Sequence, residues 1–208
     1  MKKLITEFIG TFFLVIAVTL CVLGGAGNMA PIGIGVMLMV MVFAGGHISG
    51  AHYNPAVTLA VFLRGKCAAS DVPGYIFAQL LGSSTAAIIS SSFLLNKMGP
   101  GMDLSTTVTQ AIAAEIIGTF ALCWVVLNVA TSKDTEGNSF YGLAIGLTIT
   151  ACAFSLGGIS GGAFNPAVAL AMGISNISSF HNLWIYGVGE VIGAILAAYI
   201  FLFVNGKD

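Results

Sequence analysis

Long apolar runs alternate with short polar punctuation along the chain. Six runs, over 4–23, 32–47, 74–95, 108–130, 140–156 and 183–204, approach or reach the ~20 residues needed to cross a hydrocarbon core of ~30 Å. The second and fifth are short, and both run into Gly-rich segments. Each is followed by a further apolar stretch, 54–63 and 165–173. About ten helical residues span ~15 Å, half of the core. The pattern predicts six spanning helices and two half-helices.

Composition sharpens this picture. Of 208 residues, 57% are hydrophobic and 7% are charged, against roughly 25% charged in a soluble domain. So few polar groups cannot cover a water-facing surface. Soluble globular, disordered and nucleic-acid-binding classes are excluded, and an integral membrane protein remains. The 27 glycines are nearly twice the usual ~7%. In a bilayer glycine lets helices approach closely, so the expected bundle is tight.

Charge sets the orientation. Lys2, Lys3, Arg64, Lys66, Lys133 and Lys207 fall on one side of a six-span layout, and only Lys97 falls on the other. The positive-inside rule then makes both termini cytoplasmic. The run after Lys2-Lys3 is read as the first span and not as a cleaved signal, because it carries Glu7 and a motif that recurs later. Cys21, Cys67, Cys123 and Cys152 read as small apolar packers. Metal-ligand spacing, a Ser/His/Asp set, His-Glu-x-x-His and paired carboxylates on one helix face are all missing from the pattern. No enzyme, metal or cofactor is therefore expected.

The two halves match. Glu7-Phe8-Ile9-Gly10-Thr11-Phe12 aligns with Glu115-Ile116-Ile117-Gly118-Thr119-Phe120 at an offset of 108. Ile48-Ser49-Gly50 and Asn54-Pro55-Ala56-Val57 align with Ile159-Ser160-Gly161 and Asn165-Pro166-Ala167-Val168 at an offset of 111. Tyr75, Gln79 and Gly82 pair with Tyr186, Glu190 and Gly193 at that same offset. The repeats cover approximately 1–97 and 108–208 of a single domain, 1–208. Three spans per repeat invert the second relative to the first, an arrangement of channels and transporters. The half-helices then enter from opposite faces, and their N-termini meet near the bilayer centre.

Asn-Pro suits a helix start. Proline fits the first helical position, and asparagine before it is a strong N-cap. Two such ends bring two partial positive charges, each about half an elementary charge, to one point. Asn54 and Asn165 add amide donors there. A cation is repelled, and a neutral hydrogen-bonding molecule is oriented.

With these motifs in place, the sequence resembles the aquaporin and glycerol-facilitator (major intrinsic protein) family. His47-Ile48-Ser49-Gly50-Ala51-His52-Tyr53-Asn54-Pro55-Ala56-Val57-Thr58 looks like its first signature loop, and Gly161-Gly162-Ala163-Phe164-Asn165-Pro166-Ala167 like its second. The resemblance implies an all-α, right-handed bundle of six transmembrane helices with two re-entrant half-helices in an inverted repeat. It also implies a homotetramer with one pore per subunit, and passive permeation without a cofactor. Asn54 and Asn165 would donate to the permeant. Glu7 and Glu115 would accept from the backbone of the signature loops; the competing role for them is proton coupling. Glu190 is expected to buttress helices. His47 and His52 lie on the cytoplasmic approach to Asn54, where His47 either lines or gates a vestibule or simply packs.

The sequence departs from that family at one informative place. The family usually carries arginine three residues after the second Asn, and here the position is Val168. Gapless counting puts Ile34, Ala153 and Gly162 at the remaining positions of the selectivity ring, with Phe154 replacing Ala153 if span five slips by one residue. Such a ring is wide and apolar. The expected function is a passive channel for water, glycerol-like polyols, urea and neutral metalloid acids such as arsenite. The alternatives are a mainly water-selective channel and an ion- or proton-coupled carrier. Short termini point to a prokaryotic inner membrane.

Overall fold

The computed structural model describes residues 1–206; Lys207, counted above with the cytoplasmic charges, lies outside the described residues. Among the described residues there are eight α-helices. Six are long and apolar enough to cross a membrane: α1 (Lys2–Leu23), α2 (Ala30–Ser49), α4 (Val72–Ile88), α5 (Val108–Thr131), α6 (Tyr141–Ser160) and α8 (Leu183–Asn205). The two half-helices are α3 (Pro55–Leu63) and α7 (Pro166–Ile174).

The second and fifth spans are not short. Each runs for 20 residues: α2 starts two residues earlier and ends two later than the apolar run, and α6 continues through Gly157-Gly158. Each stops only where the backbone turns left-handed, at Gly50 (φ 87°) and Gly161 (φ 92°). Glycine is the natural residue for that conformation. The third span also differs from expectation. Its α-helix ends at Ile88 and continues as a π-helical turn over Ile89–Leu94. Ser90 and Ser91 there donate their hydroxyls to Ala86 O and Ala87 O. Such back-bonding by serine competes with the regular backbone ladder.

Packing repeats the internal symmetry. α1 lies against α4 as α5 lies against α8, and α2 meets α6 across the halves. Each half-helix also packs on a spanning helix of the opposite half, α3 on α8 and α7 on α4. The equivalent crossings are made by Gly82 and Gly193. A Cβ on Gly82 would stand 2.5 Å from Phe8 O, and one on Gly193 would stand 2.7 Å from Ile116 O. Neither partner is a flexible side-chain end, so the helices themselves would have to part. Gly82→Ala is therefore expected to cost about 1–3 kcal/mol, as overpacking does. A melting curve of the purified protein in detergent checks this.

Outside, large apolar side chains such as Phe77, Ile117, Trp184, Tyr199 and Phe203 are exposed, as a lipid-facing surface requires. Inside, the core is built largely from alanine, valine and leucine, joined by buried Glu7, Gln79, Glu115 and Glu190. The four cysteines are free. Lys3 pairs with Asp71 at 2.9 Å at one end of the bundle. Lys97 donates to Leu23 O at the far end of α1.

Candidate functional site

The site forms where α3 and α7 start. Asn54 and Asn165 adopt extended backbone just before the prolines, and their Oδ1 atoms cap the half-helices. Asn54 Oδ1 accepts from Ala56 N at 2.8 Å, and Asn165 Oδ1 accepts from Ala167 N at 2.9 Å. Pro55 and Pro166 occupy the first helical turn, where a missing N–H costs nothing.

Each asparagine also reaches across to the other half. Asn54 Nδ2 donates to Phe164 O at 2.8 Å, and Asn165 Nδ2 donates to Tyr53 O at 2.9 Å. The two motifs are thus cross-braced. An amide nitrogen carries two hydrogens, so one on each asparagine is committed to the brace and one remains for the cavity.

The two accepting carbonyls belong to residues with left-handed backbone, Tyr53 (φ 49°) and Phe164 (φ 48°). That conformation costs a residue other than glycine roughly 1–2 kcal/mol. It is held by paired amides. Glu7 accepts from His52 N (3.0 Å) and Tyr53 N (2.7 Å), and also from Ser49 Oγ (2.6 Å) and Gln79 Nε2 (2.8 Å). Glu115 accepts from Ala163 N (3.1 Å), Phe164 N (2.7 Å) and Ser160 Oγ (2.6 Å). Both carboxyls are fully buried. The space for the two aromatic rings comes from Gly10 and Gly118, where any Cβ would collide with the Tyr53 and Phe164 rings.

A cavity of about 600 Å³ holds both asparagines, and its wall includes Ile34, Ala153, Gly162 and Val168. Phe154, the alternative to Ala153, is not in that wall and is exposed on the outer face. A second cavity of about 800 Å³ is bordered by His47, Lys66 and Lys133. The two cavities share His52, Val126 and Ile145. His47 lies in the last turn of α2, beside the second cavity. Neither Glu7 nor Glu115 lines either cavity. Among the described residues no His/Cys/Asp/Glu group is arranged to hold a metal.

Two features of the site were missed in the sequence. Glu190 does more than buttress helices: its Oε1 accepts from Asn165 N at 2.8 Å. The cause is its place on α8, which packs against α7. Tyr75 and Tyr186 anchor the ends of α2 and α6, each donating its hydroxyl at 2.7 Å to the carbonyl of Ser49 or Ser160. Both features carried a signal, since all three residues sit at repeated positions.

A family model described as "Major intrinsic protein" matches residues 1–201. The chain is 36% identical over 225 residues to "Probable aquaporin NIP-type" of Nicotiana alata, covering 100% of this chain and 79% of that one. It is 34% identical over 225 residues to "Glycerol uptake facilitator protein-like 6" of Lactiplantibacillus plantarum, covering 100% of both. Among solved structures it is similar to the aquaglyceroporin from Plasmodium falciparum. The TM-score is 0.82 at 25% identity, covering 98% of this chain and 96% of that one.

Proposed function

This chain belongs to the major intrinsic protein family, and from that premise we propose that it is a passive membrane channel for water and small neutral solutes with a wide, apolar narrow stretch. The observation that carries the solute reading is the cavity wall beside the asparagine pair. Ile34, Ala153, Gly162 and Val168 offer it no charge, no aromatic ring and two very small side chains. Such a wall leaves room for glycerol-like polyols, urea and neutral metalloid acids such as arsenite. The names of the Lactiplantibacillus relative and the Plasmodium structure point to solutes of that size.

Four residues then select by size. Asn54 and Asn165 offer the permeant their remaining amide hydrogens, and the α3 and α7 N-termini oppose cations through their dipoles. Glu7 and Glu115 hold the loops and take no part in transport, since their oxygens face backbone amides and neither cavity. His47, with Lys66 and Lys133, borders the cytoplasmic vestibule. The chain works as a homotetramer with one pore per subunit, in a prokaryotic plasma membrane with both termini in the cytoplasm. The even number of spans puts both termini on one side, and Lys3, Lys66 and Lys133 gather at that end.

Proteoliposomes test the reading. Stopped-flow shrinkage should show protein-dependent permeability to water, glycerol, urea and arsenite with a low activation energy. Solute flux that follows an imposed pH or sodium gradient would identify a coupled carrier and overturn the proposal.

A further inference from the structure

The two halves treat one position differently. In the first, Gln79 Nε2 donates to Glu7 Oε2 at 2.8 Å and contacts Thr58 Oγ1 at 3.0 Å. In the second, the matching residues are Glu190, Glu115 and Ala169. An amide that donates has become a carboxyl, and the neighbouring hydroxyl has gone.

Glu190 Oε1 accepts from Asn165 N, while Glu115 Oε2 accepts from Phe164 N, the preceding amide. The two amides are consecutive, so both carboxyls converge on the same short stretch of backbone, close enough for Glu115 to act electrostatically on Glu190. Gly189 brings the α8 backbone to the same spot, because a Cβ there would stand 2.6 Å from Glu115 Cβ. Both glutamates are fully buried, and among the described residues Glu190 Oε2 has no hydrogen-bond partner. The ionisable groups acting on Glu190 are Glu115 and Cys123 from α5 and Tyr186 from its own helix. None of these is a cation.

Adjacent buried carboxyls without a cation do not both ionise. Glu115 has three protein donors and is the better placed to carry the charge. We propose that Glu190 is held as a neutral carboxylic acid whose Oε2–H donates to Glu115 Oε2, in the role that Gln79 Nε2–H plays toward Glu7. Glu190 is a positioning residue: one oxygen fixes the amide of Asn165 and the other fixes Glu115. Each signature loop is then backed by one negative charge. A second charge behind the start of α7 would offset the positive end of that helix and weaken the barrier to cations.

Infrared difference spectroscopy of the full-length protein in lipid tests this without reference to which solutes cross. The wild type minus Glu190→Gln spectrum should contain the C=O stretch of one protonated carboxyl at neutral pH. Glu190→Gln should lose that band yet keep water permeability, because its amide N–H replaces the O–H. Glu190→Ala, which has neither group, should lose permeability. Gln79→Glu builds the same acid beside Glu7 and should add a second band. A wild type without the band, a band that survives in Glu190→Gln, or a Glu190→Gln protein as impermeable as Glu190→Ala would each overturn the assignment.

Discussion

Replacing Val168 with arginine lowers glycerol and arsenite flux by at least about tenfold, a barrier increase of roughly 1.4 kcal/mol, while water permeability falls less. Val168 stands in the first turn of α7, in the same cavity wall as Ile34, Ala153 and Gly162. A valine there takes little of the space. An arginine side chain extends several ångströms further and carries a guanidinium into the path. A polyol must then shed water partners to pass, at about 1–3 kcal/mol for each hydrogen bond left unmade. Water is smaller and loses less. Paired water and solute permeabilities in liposomes measure the difference. Unchanged glycerol flux in Val168→Arg would show that this position does not border the narrow stretch, and retained water flux shows that the variant has folded.

Glu7→Leu is expected to be the most destabilising single change. Leucine fills the volume but leaves Ser49 Oγ, His52 N, Tyr53 N and Gln79 Nε2 without their acceptor. All four donors belong to buried residues. At about 1–3 kcal/mol per unsatisfied buried donor, the loss is about 4 kcal/mol or more. The left-handed Tyr53 backbone then loses the acceptor of its amide, and the carbonyl that receives Asn165 shifts with it. A thermal unfolding curve should shift far more for Glu7→Leu than for Gly82→Ala. Glu7→Gln, which keeps one acceptor oxygen, should fall between Glu7→Leu and the wild type. A wild-type melting temperature in Glu7→Leu would refute the role given to this carboxylate.

Much of this architecture was legible because the repeat marks the same residues twice. The Asn-Pro pairs announced two helix starts, and Glu7 and Glu115 stood in matched contexts. The length of α6 was misjudged because Gly157-Gly158 read as a break, since glycine disfavours helix in water, and α2 extends two residues past each end of its apolar run. In the folded bundle Gly45 and Gly46 make room for the Tyr53 and Tyr141 side chains, whereas a Cβ on Gly157 or Gly158 would touch nothing. The π-turn at Ile89–Leu94 was hidden because its residues are as apolar and small as those of an ordinary span. Glu190 was undervalued because Gln79, its partner in the repeat, suggested packing rather than hydrogen bonding to the loop. A carrier would want a buried ionisable pair facing its substrate. Glu115 and Glu190 are such a pair, but they face the backbone of the second loop and border neither cavity.

The crossed asparagine bonds also govern the order in which the molecule is finished during synthesis. Asn54 finds its carbonyl at Phe164, 110 residues later, and Tyr53 receives an amide from Asn165, 112 residues later. Until the ribosome has made the second signature loop, the first half-helix has its side-chain cap but no brace. It must wait in the membrane with a polar tip in contact with water. Both crossed bonds can close only after α7 enters from the opposite face, and each loop then completes the other. Chains truncated before residue 164 should therefore leave Asn54 open to water-borne reagents too large for the channel, and full-length chains should exclude them.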